Sequence, residues 1–296
     1  MTTLEWFRSH KSSHPWRMRS LYALTGISKQ AHYKQLKKCK EDLKMEQVLV
    51  DKALSIRQDH PMMGARKLYH LIAPKAIGRD RFEALLFANG LKLKRKKNYK
   101  RTTYSSKWLC YANLISGAKV KRINQIWVSD ITYIAVGKKT FYYLFLIQDL
   151  YNRKIVGWSL SDNLKADHLI RALQKAIRAT PIEQIKGLIF HSDRGSQYLY
   201  GSLRKLHHRY GILPSMGNKA WENAHAESIN GVLKEEYISF LMVDDIEQMR
   251  KTIKKVITLY NQKRPHGSLK MKTPEEFECF VQGLAPEQRP VFKVNY

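Results

Sequence analysis

The order of predicted elements after residue 122 constrains the fold more than any other feature of this sequence. Strand-like and helix-like periods alternate there, which is typical of an α/β domain whose mixed central sheet is flanked by helices. The predicted strands cover 125–134, 140–147, 154–160, 187–191 and 212–214, and the predicted helices cover 166–179, 196–209, 223–240 and 246–260. We therefore expect a five-stranded mixed sheet, preceded by an α-helical part of the chain.

Positive charge is concentrated ahead of that α/β region. The formal net charge is +28, and residues 1–122 supply +20 of it through 28 basic and 8 acidic side chains, against +8 for residues 123–296. Such an imbalance costs self-repulsion unless a polyanion neutralises it. The N-terminal part is therefore predicted to bind nucleic acid, the alternative being a solvated basic face.

Two helical segments precede the α/β region, and both have a helix-turn-helix outline. In residues 1–48, a helix leads to a turn at Gly26, and Ser28 is the predicted N-cap of a basic helix over 29–38. Residues 49–105 repeat the pattern with helices at 64–72 and 79–89. A helical hairpin with some other purpose fits the pattern equally well.

Eight basic residues and no acidic one lie between Lys92 and Lys107. This run predicts either a strand-like wing that lies on phosphates or a charged linker, and we favour the wing. Residues 106–122 are then a linker, 123–282 the α/β core and 283–296 a C-terminal tail. The candidate DNA contacts of the helical segments and wing are Arg66, Arg79, Arg81, Lys94, Arg95, Lys96 and Lys97.

Composition argues against several classes of protein. The longest aromatic-aliphatic run, 141–147, is far shorter than the ~20 residues that cross a bilayer. No signal-peptide pattern is present, so a cytoplasmic protein without a membrane partner is expected. Cys39, Cys110 and Cys279 are widely separated, which argues against a disulfide framework and a cysteine-rich zinc site.

Three carboxylates stand at positions where α/β folds build active sites. Asp130 lies within the first predicted strand, Asp193 just past the fourth, and Glu227 on a helix. Magnesium prefers oxygen ligands, and two ions held by such acids would stabilise both reacting oxygens of a phosphodiester. The alternative is that the two aspartates end strands and the glutamate is a surface residue.

The helix around Glu227 places further polar groups beside that acid. Asn223, Asn230 and Lys234 follow a spacing of three to four residues with Glu227, so the four share one helix face. That face offers one metal ligand, two amides and one cation. We predict that the amides and the lysine contact DNA.

Five motifs resemble those of integrase-core (DDE) insertion-sequence transposases, in the group with two overlapping reading frames whose second frame encodes the catalytic protein. The resemblance covers nearly the whole chain, and the helix at Gly64 resembles the helix-turn-helix that precedes the family's core. The motifs are WVSDITY at 127–133, DLYNRKIVGW at 149–158, HSDRGSQY at 191–198, ENAHAES at 222–228 and YNQKRPHGSL at 260–269.

The resemblance implies a ribonuclease-H-like catalytic core in which Asp130, Asp193 and Glu227 form the acid triad. It implies two Mg²⁺ ions, with Mn²⁺ as a substitute, and cleavage and joining of DNA strands at the ends of the element. Lys234 matches a lysine near the DNA, and Arg264 and His266 of the closing motif are predicted DNA contacts. The zinc module of retroviral relatives has no counterpart in this sequence, so no zinc is expected.

The same resemblance implies the partners. They are the terminal repeats of the element and target DNA, with a homo-oligomer assembled on the DNA of the bacterial nucleoid. The upstream-frame protein, free or as a frameshift fusion, is a further expected partner.

The sequence departs from the family pattern in one loop. Thirty-three residues separate Asp193 from Glu227, about two fewer than usual, and Glu222 stands where aspartate is more common. A shorter loop ahead of the helix is geometrically tolerable, so the triad is kept. The start of the helix, and with it the position of Asn223, is the part that this departure affects.

Two other functions remain open on the sequence: a DNA-binding regulator derived from a transposase but without catalysis, and another ribonuclease-H-like nuclease. The roles of some motif residues are also open. His191 is either a phosphate contact or a strand end, and Tyr133 and Tyr260 either pack or contact DNA. Asp149 is a weaker ligand candidate, because hairpin pairing would place it near Trp127.

Overall fold

The architecture is that of a computed structural model, which describes residues 3–10, 13, 15–93, 111–136, 140–217, 220–240, 243 and 245–295. Lys94, Arg95, Lys96 and Lys97 of the predicted wing lie outside the described residues. Contacts divide the chain into two compact units. One unit comprises 1–55 and 71–92, and the other comprises 56–70 and 93–296.

Among the described residues of the second unit, seven strands form two sheets. A five-stranded sheet has the order β4-β3-β2-β5-β6, and β1 pairs with β7 in a separate two-stranded sheet. The strands are β1 (Lys119–Val120), β2 (Ile126–Val136), β3 (Thr140–Asp149), β4 (Ile155–Ser161), β5 (Ile189–Ser192), β6 (Leu213–Met216) and β7 (Phe292–Lys293).

The large sheet is mixed, as the sequence predicts. β3 runs antiparallel to both β2 and β4, whereas β5 runs parallel to β2 and β6 parallel to β5. β2 is therefore the central strand, with an antiparallel neighbour on one side and a parallel neighbour on the other. Its register sets Asp130 opposite Leu146 and Trp127 opposite Asp149.

Eleven α-helices are found in the described residues, and five of them belong to the N-terminal part. They are α1 (Thr3–Ser9), α2 (Met18–Thr25), α3 (Lys29–Asp59), α4 (Ala65–Ile72), α5 (Arg79–Ala88), α6 (Ala166–Arg178), α7 (Ile182–Ile185), α8 (Gly201–Tyr210), α9 (Ala224–Glu236), α10 (Ile246–Lys263) and α11 (Pro274–Gln282). Short 3-10 turns precede α8 and α9, over Ser196–Leu199 and Ala220–Asn223.

The predicted caps of the first unit are present, but its long helix is longer than predicted. Gly26 ends α2 in a left-handed conformation with φ 67°, and the Ser28 hydroxyl accepts the Ala31 amide at 3.1 Å. From there α3 continues to Asp59, through the predicted domain boundary between residues 48 and 49. The predicted boundary therefore lies within a single helix.

Apolar side chains cover both faces of the large sheet because they alternate along its strands. Leu144 and Leu146 of β3 join a cluster with residues of α9 and α10. Phe145 and Ile147, one position along, belong to a cluster with α6 and α8 on the opposite face. The period of two thus builds a helix–sheet–helix sandwich.

A third cluster joins distant stretches of the second unit. Val120 of the predicted linker, Phe277 of α11 and Val294 after β7 are all buried in it. The sequence predicted neither α11 nor the β1–β7 pair, and it described 283–296 as a tail. The structure instead pairs Val120 with Phe292.

These features confirm the predicted ribonuclease-H-like core: a five-stranded mixed sheet flanked by helices, preceded by a helical region. Across the described residues, no helix is both long enough and apolar enough to cross a membrane.

Candidate active site

Three elements meet at the centre of the large sheet and carry the three predicted acids. Asp130 lies midway along β2, and Asp193 follows the end of its parallel neighbour β5. Glu227 is in the first turn of α9, which packs on β2 and β3. Distant parts of the chain are brought together because β5 pairs with the first three residues of β2, so that Asp193 follows near Asp130, and because α9 packs on β2.

The electrostatics show that the three acids act on one another. Burial raises the pKa of Asp130 to about 7, and the negative charges of Asp193 and Glu227 add to that rise. Burial followed by the charge of Asp193 raises the pKa of Glu227, and burial raises that of Asp193. Such a cluster favours either a bound proton or a bound cation.

Hydrogen bonds fix the orientation of both aspartates. Asp130 accepts the Ile131 amide at 2.9 Å through Oδ1 and the Asn230 side-chain amide at 2.7 Å through Oδ2. Asp193 accepts the Gly195 amide at 3.0 Å. A Cβ added at Gly195 would come within 3.1 Å of the Asp193 carboxylate, so glycine suits this close turn.

The start of α9 is tied to the strand that carries Asp130. Asn223 stands at the N-cap position, is buried, and donates its side-chain amide to the Ser129 carbonyl at 3.1 Å. The predicted helix start at Asn223 is thus confirmed to within one residue. Among the described residues, the Oδ1 atoms of both Asn223 and Asn230 are buried without a hydrogen-bond partner.

The donor set fits a hard divalent cation. Three carboxylates supply only oxygen ligands, the kind that Mg²⁺ prefers. Burial raises the pKa of all three, and neighbouring carboxylates raise it further for Asp130 and Glu227, so a cation would favour their ionised forms. In the part of the chain that the structure describes, no three His, Cys, Asp or Glu side chains are already gathered around one point. The arrangement offers ligands to a metal without forming a closed cage.

Two site residues were missed by the sequence analysis although both lie in its motifs. The hydroxyl of Tyr198 is buried 3.1 Å from that of Ser129, which also donates to the Leu146 carbonyl. Burial raises the pKa of Tyr198, and the charges of Asp193 and Asp130 raise it further. The neutral phenol therefore borders both aspartates. Tyr198 lies within the 3-10 turn Ser196–Leu199, where the sequence predicted the start of a helix, and a tyrosine there offered no chemical signal.

Lys234 lies on the acid-bearing face of α9. Its ammonium stands 4.5 Å over the ring of Tyr133. Burial lowers the pKa of Lys234, and the charge of Asp130 opposes that decrease. The predicted shared face of α9 is therefore present, with Asn230 and Lys234 both directed towards Asp130.

Two polar residues whose roles were open have internal partners. His191 is fully buried between Ser215 Oγ, 2.9 Å from its Nδ1, and the Glu222 carbonyl, to which Nε2 donates at 3.0 Å. The structure therefore supports the alternative in which His191 is an internal residue at the end of a strand. Asp149 accepts the Asn124 and Tyr151 amides at 2.6 and 2.8 Å and lies opposite Trp127, as expected from the hairpin pairing.

The closing motif has a different role from the one predicted for it. Arg264 is buried and donates two hydrogen bonds, of 2.7 and 2.6 Å, to the Glu236 carboxylate at the end of α9. His266 is buried beside it, 3.3 Å from the guanidinium, and burial lowers the pKa of His266 to about 2. The predicted DNA contacts Arg264 and His266 are thus corrected to an internal ion pair and a buried neutral ring.

The same end of α9 also contacts residues 56–70, which belong to the catalytic unit. The ring of His60 bonds the hydroxyl of Tyr237 at 2.7 Å, and Lys67 lies 3.7 Å from Glu236. These contacts show that the loop between α3 and α4 helps to hold the helix that carries Glu227.

The remaining predicted DNA contacts that the structure describes are exposed. Arg66 is on α4, and Arg79 and Arg81 are on α5. Arg79 pairs with Asp80 at 2.8 Å and Arg81 with Glu46 at 2.9 Å. Ion pairs at the surface are weak, so the guanidinium groups of Arg79 and Arg81 can leave their carboxylate partners and bind a phosphate instead.

Two family models, both described as integrase core domain, match residues 120–220 and 210–274. A 31 kDa protein of insertion element IS600 from Shigella sonnei is 30% identical over 261 residues, which cover 85% of this chain and 95% of that protein. The transposase of insertion sequence element IS904 from Lactococcus lactis is 35% identical over 201 residues, covering 66% and 76%. Among solved structures, the HTLV-2 integrase catalytic core domain in complex with magnesium is 20% identical, with a TM-score of 0.42, and the match covers 52% of this chain and 96% of that chain.

Proposed function

Because this chain belongs to the integrase-core transposases of insertion-sequence elements, we propose that it cleaves and joins DNA at the ends of its own element through Asp130, Asp193 and Glu227. Membership of the family makes it a polynucleotidyl transferase. The proposal adds which side chains act and what they act on.

One observation carries the assignment of the three acids. They come from a strand, a loop and a helix, yet Asp130 is affected electrostatically by both of the others. Neighbouring carboxylates repel one another, so a cluster of acids costs stability unless it serves a function. A metal site needs this excess of negative charge. The amide of Asn230 orients Asp130, and the neutral phenol of Tyr198 lies near both aspartates.

The acids would hold two Mg²⁺ ions, for which Mn²⁺ could substitute, and bound ions would stabilise the attacking and leaving oxygens of the phosphodiester. The protein's own contribution is orientation. Asn230 and the Ile131 amide direct the two oxygens of Asp130, the Gly195 amide directs Asp193, and no serine, cysteine or tyrosine nucleophile is needed.

DNA would be bound by Lys234 beside the acids and by exposed arginines of the helical segments, among them Arg66, Arg79 and Arg81. Lys94, Arg95, Lys96 and Lys97 remain predicted contacts of the wing. Asn223 and Asn230 have internal partners through their amide nitrogens, and their unbonded carbonyl oxygens would face the metal and DNA side of α9.

We further propose that the active form is a homo-oligomer on two DNA ends, since both ends of an element must be cut and joined together. The upstream-frame protein, free or fused, would supply additional DNA binding. These partners follow from the family pattern of two overlapping frames.

The decisive experiment compares two conservative variants on the same helix. Purified protein is incubated with Mg²⁺ and a labelled duplex carrying the element's terminal repeat. Glu227→Gln should abolish nicked and joined products while leaving DNA affinity nearly unchanged, because only the metal ligand is lost. Glu235→Gln, at an exposed position of α9, should cleave like the wild type.

Cleavage by Glu227→Gln at the wild-type rate would refute the triad. If the wild type binds but does not cut, even as a fusion with the upstream frame, the chain is a DNA-binding regulator. Cleavage of RNA·DNA hybrids in preference to strand transfer would instead indicate another ribonuclease-H-like nuclease.

A further inference from the structure

Two aromatic side chains of the β2–β3 hairpin, whose first strand carries Asp130, stand in solvent. Tyr133 is 37% exposed and lies three residues after Asp130 on β2, and Phe141 is 46% exposed on β3. Their ring centroids are 6.1 Å apart and their planes are inclined at 86°. The two rings therefore form a right-angled corner with aromatic surface open to water.

Strand register explains why both rings are on the same side. Tyr133 pairs with Tyr143, and Phe141 is two residues before Tyr143, so all three side chains share one face of the hairpin. Tyr143 is partly covered by the core of that face, whereas Tyr133 and Phe141 extend beyond it. Exposed apolar groups that adjoin one another, unlike scattered ones, mark interaction surfaces.

A cation links this corner to the acids. The Lys234 ammonium stands 4.5 Å over the Tyr133 ring, and Lys234 is on the same face of α9 as Glu227, seven residues on. Asp130 and Tyr133 are about 10 Å apart along β2, and their side chains leave opposite faces of the strand. β5 pairs with β2 only as far as Val128, so Lys234 of α9 passes the edge of β2 to reach the Tyr133 ring. A single DNA strand that crosses this edge would have the acids on one side, the rings on the other and the cation between them.

We propose that Tyr133 and Phe141 stack an unpaired base of the DNA strand whose phosphodiester lies at the acids, with Lys234 on the adjoining phosphate. Bases within a duplex have both faces covered by their neighbours, so only a base taken out of the stack can offer its face to a protein ring. Every base has such a face, so the two rings would stabilise an opened DNA end whatever its sequence. The proposal rests on the proposed function.

The first test uses the full-length chain and two substrates. One is a fully paired terminal repeat, and the other has its last three base pairs mismatched. Tyr133→Ala and Phe141→Ala should each cleave the paired substrate about tenfold more slowly, since stacking on one ring is lost. On the mismatched substrate the deficit should shrink to about twofold, because opening no longer needs the corner. Tyr133→Phe keeps the ring and should retain the wild-type rate.

The matched control is Phe280→Ala. Phe280 is 43% exposed and lies 5.1 Å beneath the Lys272 ammonium, on α11, so it is a similar exposed ring under a lysine. This variant should cleave both substrates normally. All four variants alter exposed side chains, and unchanged melting temperatures would show that they fold.

A second readout detects the contact itself. A terminal repeat with 5-iodouracil at each of the last three positions of the cleaved strand is irradiated with the protein, and the cross-linked peptide is identified by mass spectrometry. Cross-links at Tyr133 or Phe141 support stacking. Cross-links confined to other residues, or equal deficits on paired and mismatched substrates, would overturn it. Because wild-type cleavage is measured beside every variant, failure of the corner is distinguishable from failure of the transposase proposal, in which the wild type itself is inactive.

Discussion

Asp130 shows how a single functional residue lowers the stability of the fold. Its pKa is near 3.8 in an unfolded chain and about 7 in the folded protein, so folding takes up a proton between those pH values. The free energy of unfolding therefore decreases as pH rises from about 4 to about 7, and above that range the ionised carboxylate is held at a cost. Stability is given up at an acid that we propose as a metal ligand.

We predict that Asp130→Asn is inactive yet more stable than the wild type at pH 8 in the presence of a chelator. The gain should be at least about 1 kcal/mol and should vanish near pH 4, since the asparagine never ionises. Asn230 can accommodate the change by turning its amide, because its Oδ1 has no hydrogen-bond partner among the described residues. Thermal unfolding at pH 4, 6 and 8 measures the effect.

Asp149→Asn is the matched control, because it makes the same substitution at another buried aspartate. Asp149 also has its pKa raised to about 7 by burial, but both of its oxygens already accept backbone amides. An asparagine can satisfy only one of the two, so this variant should be destabilised near pH 4, and the lost amide hydrogen bond should offset the relief from ionisation at pH 8. Equal destabilisation of both variants at pH 8 would contradict the account of Asp130. A raised pKa alone, then, does not identify an active-site acid: the residues around it do.

At the scale of elements, the packing of α6 on β4 depends on Gly157. A Cβ at this position would lie 2.4 Å from the Ala172 carbonyl and 3.0 Å from the Ala176 side chain. Neither group can move away easily, because the Ala172 carbonyl is helix backbone and both alanines belong to the core on that face of the sheet. The helix must shift or the strand must bend.

We therefore expect Gly157→Ala to lower the free energy of unfolding by about 1–3 kcal/mol, the usual cost of overpacking a core. Chemical denaturation would measure the loss. Gly231→Ala is the control, since nothing lies within 4 Å of a Cβ there and the helix should tolerate alanine. A Gly157→Ala protein as stable as the wild type would mean that α6 can move away without penalty.

Elements with a strong local signal were predictable from the sequence, and elements held by distant contacts were not. The five strands of the large sheet show the alternation or the short apolar runs that predict strands, and each was found. β1 and β7 are two residues long, too short to carry a period, and they exist because they pair with each other. α11 did have a signal that was overlooked: Thr273, Pro274 and Glu276 make a capping box with proline at the first turn.

The site divides in the same way. Two acids at strand positions and one on a helix could be found from local sequence and family motifs, because each motif is contiguous. The pairing of Arg264 with Glu236 could not, since 28 positions separate them and an arginine in a basic chain is first taken for a DNA contact. Burial of that arginine is a property of the fold and has no sequence period.

At the scale of the whole molecule, the net charge of +28 should dominate DNA affinity. If six or more phosphates are neutralised, raising the salt from 50 to 200 mM should weaken binding by about a thousandfold, because condensed counterions are no longer released as favourably. Fluorescence anisotropy with the terminal repeat and with an unrelated duplex tests this. Both should show the steep dependence, whereas a salt-independent affinity would contradict the assignment of the N-terminal part to DNA.

The division of the chain into units also differs from what its charge suggested. Residues 56–70 follow the basic helix α3 in sequence, but they group with the catalytic unit, where His60 and Lys67 contact the end of α9. A protein trimmed to the predicted core of 123–282 would lack these contacts and β7 as well. A shorter protein should therefore keep residues 56–70 and β7, and the predicted domain boundaries remain predictions.

The pairing of β1 with β7 has a consequence for synthesis on the ribosome. The five strands of the large sheet all emerge before residue 217, but the cluster of Val120, Phe277 and Val294 stays open until the stretch around 290 has been made. A message cut short in its last tenth would thus yield a chain with Asp130, Asp193 and Glu227 present and apolar surface uncovered. Uncovered apolar surface favours aggregation and proteolysis, so the last residues to be made decide whether the product persists.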